Sequence, residues 1–175
     1  MIHAAQGGCG DAFRRIVESH QERVYHFCFQ YLRDSGDARE ACQDTFIRAH
    51  RALPSFKPQA KLGTWLFQIA LNLCRDRVRA RKNRRFMGAL DRQALDLPCR
   101  QATPEQAAIR HADLAKLDRG LAALPEKLKE ILILSCLEDL SHAECAVILK
   151  CSERAVEGRL YRARERLAAW WERES

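Results

Sequence analysis

Residues 141–166, SHAECAVILKCSERAVEGRLYRARER, read as a short helix, a tight turn and a second helix studded with arginine. Ser141 followed by Glu144 predicts a capping box, in which the hydroxyl takes the N3 amide and the carboxylate reaches back to the cap amide. Cys145, Ala146, Ile148 and Leu149 then form an inward face at helical spacing. Lys150, Cys151 and Ser152 make the turn, with Ser152 as N-cap of the next helix. Val156 and Leu160 point back to the core. Arg154, Glu157, Arg159, Arg162, Arg164 and Arg166 are left outward. This is the shape of a helix-turn-helix, whose second helix enters the DNA major groove. An ordinary helical hairpin with a solvated basic face fits the same spacing.

Outside this segment the chain is also helical in pattern, with no convincing strand. Asp11 is placed to cap a helix over about 12–32, striped by Phe13, Ile16, Val17, Val24, Phe27, Cys28 and Leu32. Asp34 to Gly36 reads as a turn, and Asp37 with Glu40 as a second capping-box start for a helix ending near Leu53 at Pro54. Residues 54–63, PSFKPQAKLG, form a loop. Thr64 then opens a long helix through Trp65, Leu66, Ile69, Ala70 and Leu73. It runs into RDRVRARKNRR (75–85), where seven basic residues face one acid. So dense a block marks a solvated or phosphate-facing surface. Periodicity is lost over 87–102. Thr103, Pro104 and Gln106 then restart a helix with cap, N1 proline and N3 glutamine. After Leu124 and Pro125 a helix covers about 126–138, and the last helix ends near Trp170 and Trp171.

The fold class is therefore all-α: two small helical domains, 10–86 and 104–173, joined by a flexible linker over 87–103. Extended, that linker spans up to about 55–60 Å, enough to set two DNA sites more than one turn apart. The 175 residues carry a net charge of +7, which suits a polyanionic partner. No basic start with an apolar run opens the chain, and no stretch approaches a membrane span. A cytoplasmic chain is expected, with its eight cysteines as reduced thiols. None forms a CxxC pair, and most sit at apolar helical positions. His142, Cys145 and Cys151 lack structural-zinc spacing, so no metal or cofactor is expected. No phosphate loop, HExxH motif or nucleophile elbow is present, which argues against an enzyme.

Taken together, the segments AREACQDTFIRAHRAL (38–53), GTWLFQIALNLCRDRVRARKNRR (63–85) and LPEKLKEILILSCLEDLSHAECAVILKCSERAVEGRLYRARERL (124–167) resemble the extracytoplasmic-function (ECF) sigma factors of bacterial RNA polymerase. The first two resemble the polymerase-binding and promoter −10 helices of the family's region two, and the third its region four. The resemblance implies a factor that binds core polymerase and directs initiation at promoters with −10 and −35 elements. By it, Asp37, Arg39, Gln43, Asp44 and Phe46 would dock on the largest polymerase subunit. Phe56, Lys57, Gln59 and Lys61 would receive a flipped −10 base, with Trp65 in the core. Asn72, Arg75, Arg79 and Lys82 would hold backbone or base edges. Glu153, Arg154, Glu157, Gly158, Arg159 and Arg162 would read the −35 duplex. The linker, with Asp91 and Asp96, would thread toward the polymerase active-site channel. The resemblance also implies control by an anti-sigma factor, often membrane-anchored, with no membrane insertion of this chain.

Four residues depart from the family's pattern, among them Cys145, which stands where isoleucine is common. Glu157 stands where a basic or polar residue is usual; it repels phosphate but can accept from a cytosine amino group. Gly158 weakens a mid-helix position by up to about 1 kcal/mol against alanine. Lys150 stands where glycine is favoured before the turn. Two other classes remain open on residues alone: a stand-alone helix-turn-helix regulator, and a thiol or metal sensor in which exposed cysteines such as Cys9 or Cys99 oxidise.

Overall fold

The structure, a computed structural model, describes residues 1–57, 61–86 and 116–174, and of 84–86 the backbone alone. Every regular element among them is helical: α1 (Ile2–Gln6), α2 (Gly10–Leu32), α3 (Ser35–Ala52), a 3-10 turn (Leu53–Ser55), α4 (Leu62–Phe86), α5 (116–123), α6 (Glu126–Leu132), a π-turn (Ile133–Leu137), α7 (His142–Leu149) and α8 (Glu153–Arg173). Gln59, Cys99, the expected linker with Asp91 and Asp96, and the helix start at Thr103 lie outside the described residues.

Helices α2, α3 and α4 form the first half. The stripe on α2 is buried at Ile16, Val24, Phe27, Cys28 and Leu32, against Leu66, Ala70, Leu71 and Cys74 of α4. Ala38, Ala41 and Ala49 are buried on α3, and these small side chains let its backbone come close to its neighbours. The second half gathers Ile131, Leu134, Cys145, Ile148, Val156, Leu160 and Ala163. The two cores are continuous with one another.

Several boundaries move from the sequence expectation. The cap of α2 is Cys9, without a side-chain bond, and Asp11 lies within the first turn. There its charge complements the helix dipole. The unforeseen α1 and a turn at Gly8 (φ +88°) set this entry. Helix α3 starts three residues earlier than expected: Asp34 is its cap and accepts from the Asp37 amide at 2.8 Å. Asp37 is thus the recipient of the cap, not its source. Helix α4 opens at Leu62, so Thr64 is a buried helical residue. The expected helix over 126–138 changes to a π-turn after Leu132, closed by Glu138 N–H to Ile133 O at 3.0 Å and a left-handed Asp139 (φ 53°). Arg33 (φ 56°) and Lys150 (φ 51°) end α2 and α7 in the same way without glycine.

The two halves are docked on each other, which the reading of two modules on a tether did not anticipate. Five ion pairs join them among the described residues, and in each the base comes from the first half and the acid from the second: Arg23–Glu138 (3.6 Å), Arg33–Asp118 (2.5 Å), Lys61–Glu144 (3.0 Å), Arg75–Glu130 (2.7 Å) and Lys82–Glu126 (2.9 Å). Arg23 also donates to the Glu138 carbonyl (2.7 Å) and lies over the Phe67 ring.

Burial raises the Glu138 carboxyl to about 7, with the Arg23 guanidinium acting the other way. Folding therefore favours the neutral form relative to the unfolded chain. Its contribution to stability is whole below the unfolded value of 4.5 and is lost as pH rises through about 7. Glu138→Gln keeps the neutral shape. It is expected to stabilise the protein by up to about 3 kcal/mol at pH 8, and severalfold less at pH 5. Urea unfolding at the two pH values checks this; an equal effect at both would contradict it.

Candidate nucleic-acid interface

The helix-turn-helix is built by caps. Ser141 accepts the Glu144 amide at 3.2 Å, and Glu144 Oε2 accepts the Ser141 amide at 3.0 Å, completing the capping box. The amide and hydroxyl of Ser141, with Lys61, hold the Glu144 carboxyl down to about 2. Lys150 turns the chain in the left-handed region, and Ser152 Oγ accepts the Ala155 amide at 3.2 Å to start α8. Cys145, Ile148, Leu149, Val156, Leu160 and Ala163 are buried between α7, α8 and their neighbours. This leaves Glu153, Arg154, Glu157 and Arg162 exposed along one side of α8, with Gly158 and Arg159 partly covered. Glu157 lies 3.7 Å from His142 Nδ1.

The second basic surface lies on α4, and most of its described side chains are already paired. Arg77 bonds Glu40 (3.0 Å) and Asp44 (2.7 Å) of α3, and Arg81 pairs with Asp37 and with Asp34 (3.4 Å). Arg75 donates Nε–H and Nη2–H to the two oxygens of Glu130 at 2.7 and 2.8 Å, and Tyr31 Oη–H donates to Oε1 at 3.2 Å. Glu130 is only 2 % exposed. In this arrangement Arg75, Arg77 and Arg81 are not free solvated bases: carboxylates meet their charges. Asn72 and Arg79 remain outward. Above them Phe56 packs on Trp65 with ring centroids 4.7 Å apart, anchored by Gln6 Nε2–H donating to Leu53 O and Phe56 O. A cleft of about 500 Å³ opens there, lined by Ala52, Ser55, Phe56, Lys57, Trp65 and Val147.

With both surfaces placed, comparison with known proteins is informative. Sigma-70 region 2 matches residues 16–84 and Sigma-70 region 4 matches residues 114–167. The RNA polymerase sigma factor CnrH of Cupriavidus metallidurans is 34 % identical over 96 % of this chain and 92 % of its own length. The ECF RNA polymerase sigma-E factor of Escherichia coli is 30 % identical over 94 % of this chain and 89 % of its own. The chain belongs to the ECF family of RNA polymerase sigma factors.

Its fold agrees with that of solved members. The structure of CnrH in complex with the cytosolic domain of CnrY superposes with a TM-score of 0.77 at 28 % identity, covering 99 % of this chain and 96 % of that one. The sigma factor RpoE of Bartonella quintana, solved with the anti-sigma factor NepR, shares the fold with a TM-score of 0.74 at 23 % identity, over 92 % of this chain and 97 % of that one. Sigma factors of this family are transcription initiation factors, not enzymes.

Within this sigma factor the residues expected to meet polymerase divide. Arg39 and Gln43 are exposed on α3. Asp37 and Asp44 are tied to arginines of α4, and Phe46 is buried at 7 % exposure, so its ring is a wall rather than a projecting contact. Exposed Ile47 was overlooked. With Phe13, Phe46, His50 and Arg51 it lines a shallow groove of about 270 Å³. Of the residues expected to meet the −10 strand, Lys57, Lys61, Asn72, Arg79 and Lys82 are exposed, while Phe56 is 9 % exposed. Glu130 was also missed, though its signal is legible: an acid between Leu128 and Ile131, on the apolar face of α6, calls for a buried cation.

The four cysteines Cys28, Cys42, Cys74 and Cys145 are buried, and burial pushes the Cys42 and Cys145 thiols up to about 11. Cys42 and Cys145 are thereby held as unreactive thiols at neutral pH. Cys9 and Cys136 are exposed. No group of three or more His, Cys, Asp or Glu among the described residues is placed to hold a metal ion.

Two residues that depart from the family's pattern make stability predictions. A Cβ at Gly158 would meet nothing nearer than Arg162 Nη1 at 3.9 Å. Gly158→Ala is expected to raise stability by up to about 1 kcal/mol. Lys150→Gly, at a left-handed cap, is expected to gain about 1 kcal/mol. Thermal unfolding of the single variants checks both, and a lowered midpoint in either contradicts the assigned backbone geometry.

Proposed function

We propose that this protein binds core RNA polymerase in the cytoplasm and directs initiation at promoters recognised through a −10 and a −35 element. The observation that carries the reading is the co-linear match of both halves: one relative, a sigma factor, covers 96 % of the chain without losing either DNA-binding segment. The working domains are region two over 10–86, a linker over 87–103 and region four over 104–173.

Region four reads the −35 duplex with α8. Arg154 and Arg162 lie on the exposed side of a capped helix, suited to phosphate or guanine edges. Glu153 and Glu157 add acceptors, and Gly158 allows close approach. Arg159 supports the same face. Region two takes the −10 strand as single-stranded DNA. Phe56, Lys57, Gln59 and Lys61 border the flipped base, and Asn72, Arg75, Arg79 and Lys82 hold the strand. Core polymerase docks on α3 through Arg39 and Gln43, with Asp37, Asp44 and Phe46 shaping the surface from behind. A protein antagonist, an anti-sigma factor held at the membrane, controls the factor. In support, the CnrH fold was solved holding the cytosolic domain of CnrY. No helix among this chain's described residues is long and apolar enough to cross a membrane.

Reconstituted transcription tests the reading. Core polymerase with this protein is expected to start RNA at a subset of promoters selected from genomic fragments. Absence of core-dependent starts would sink the sigma-factor role and favour a regulator acting alone. Arg159→Ala and Arg162→Ala are each expected to weaken −35 duplex binding by about 1–3 kcal/mol if they read bases. Unchanged binding and unchanged transcription in both would displace the reading helix.

A further inference from the structure

One side chain from α1 meets the backbone where α3 gives way to the loop that follows it. Gln6 Nε2–H donates to Leu53 O at 3.2 Å and to Phe56 O at 2.7 Å. Carbonyls at a helix end lack an intrahelical partner. Leu53 O also takes the Phe56 amide at 3.0 Å, whereas among the described residues Gln6 alone donates to Phe56 O. The amide of Gln6 thus holds both ends of the 3-10 turn. A primary amide suits this task, since it carries two donors on one nitrogen and no charge. A carboxylate of the same size has only acceptors to offer.

Gln6 is itself well seated. Ala5 is 8 % exposed and Ile2 packs against the core. Gly8 N–H to Ala5 O (3.1 Å) and Cys9 N–H to Ala4 O (3.0 Å) then turn the chain into α2. On its other side the 3-10 turn presents Ser55, Phe56 and Lys57 to the cleft of about 500 Å³ that Trp65 also lines. Gln6 does not line that cleft. It holds one wall from behind, without touching what the cleft would receive.

We propose that Gln6 is a positioning residue for the flipped −10 base: by clamping residues 53–56 from α1 it fixes Phe56 and Lys57 in place before DNA arrives. The proposal rests on the reading that those two residues border that base. Its physical basis is pre-organisation. Taking a base out of the stack carries a cost that pocket contacts must offset. A wall ordered beforehand spares the further cost of ordering it on binding. Without the clamp, Phe56 O loses its donor, and the backbone that carries the wall is free to move away from Trp65.

The test uses holoenzyme reconstituted from core polymerase and the full chain. The probe is the labelled −10 non-template strand of a promoter that this holoenzyme selects from genomic fragments. It is used intact, or with one abasic site at each −10 position in turn, and fluorescence anisotropy reads its affinity. Gln6→Met keeps the length of the side chain and removes both donors. Gln6→Ala removes the donors with the rest of the side chain. Neither changes the charge. His3→Ala alters an exposed residue of the same helix and is the control.

Wild type is expected to lose affinity sharply when the flipped base is removed. Both Gln6 variants are expected to bind the intact strand about tenfold more weakly than wild type, and to bind the strand lacking that base as well as wild type does. His3→Ala is expected to match wild type on every strand. This coupling between Gln6 and one base marks action through the pocket; a general loosening of the fold weakens all strands alike. The proposal is overturned if the Gln6 variants bind the intact strand as wild type does, or if they lose the same factor on intact and abasic strands. Should Gln6→Met lose helical circular dichroism, Gln6→Ala decides by the same criteria. Wild type that is indifferent to an abasic site at every position would overturn the flipped-base reading, and the proposal with it. Wild type that is sensitive at one position, with no coupling to Gln6, would overturn the proposal alone.

Discussion

The carboxylate of Glu130, withdrawn from water and fixed by Arg75 and Tyr31, is the constraint around which the two halves are arranged. A buried carboxylate without a cation is untenable: removing one partner of such a pair costs about 3–5 kcal/mol. Glu130 therefore determines where α6 can lie against α2 and α4. Only a position that offers both the Arg75 fork and the Tyr31 hydroxyl satisfies it. Once α6 is set there, Lys129 reaches the Tyr31 carbonyl, Glu126 reaches Lys82, and the π-turn delivers Glu138 to Arg23. Apolar contact supplies the association, whereas the ionic contacts select one orientation from many that would bury similar area.

The segregation of charge across this interface has a further consequence. Bases on one side and acids on the other mean that each half alone carries an unbalanced surface. The first half keeps a face suited to phosphate, and the second half's docking face, with Asp118, Glu126, Glu130, Glu138 and Glu144, would repel it. Docking neutralises both together. The two exposed pairs, Lys61–Glu144 and Lys82–Glu126, have side chains on the lysine side that are 82 % and 66 % open to solvent, so salt screens them readily. Arg75–Glu130, with the carboxylate 3 % exposed, is largely shielded from ions. The interface thus combines a salt-sensitive rim with a salt-resistant centre.

Much of the fold was legible in the residues because local chemistry decided it. The Ser141–Glu144 box, the Ser152 cap, the inward set from Cys145 to Leu160 and the α2 stripe all follow from spacing and hydrogen-bonding capacity. Helix ends were less legible. Arg33, Asp139 and Lys150 terminate elements in the left-handed region without a glycine to announce it, and tertiary contacts hold at least the first: Arg33 is tied to Asp118. Asp34, not Asp37, caps α3, and the Asp37 amide is what it accepts from. The docking was illegible for a different reason. Arg75 and Glu130 are 55 residues apart, and nothing local to either names the other. Each reads alone as something else, a DNA-facing arginine and an acid on a short helix. The polymerase-facing set suffered similarly, since Asp37 and Asp44 are acids that look available in sequence and are consumed by Arg81 and Arg77.

Glu157 gains meaning from this arrangement. On α8 it lies among arginines, near His142, and exposed. A carboxylate in that position lowers attraction to phosphate at any sequence, because backbone affinity scales with the positive charge brought to the duplex. It gives up little at a site where it accepts from a cytosine amino group. If α8 reads the −35 duplex as proposed, Glu157 would move region four from backbone affinity toward base selectivity. Among the described α4 bases, Arg75, Arg77, Arg81 and Lys82 are likewise met by carboxylates of this chain.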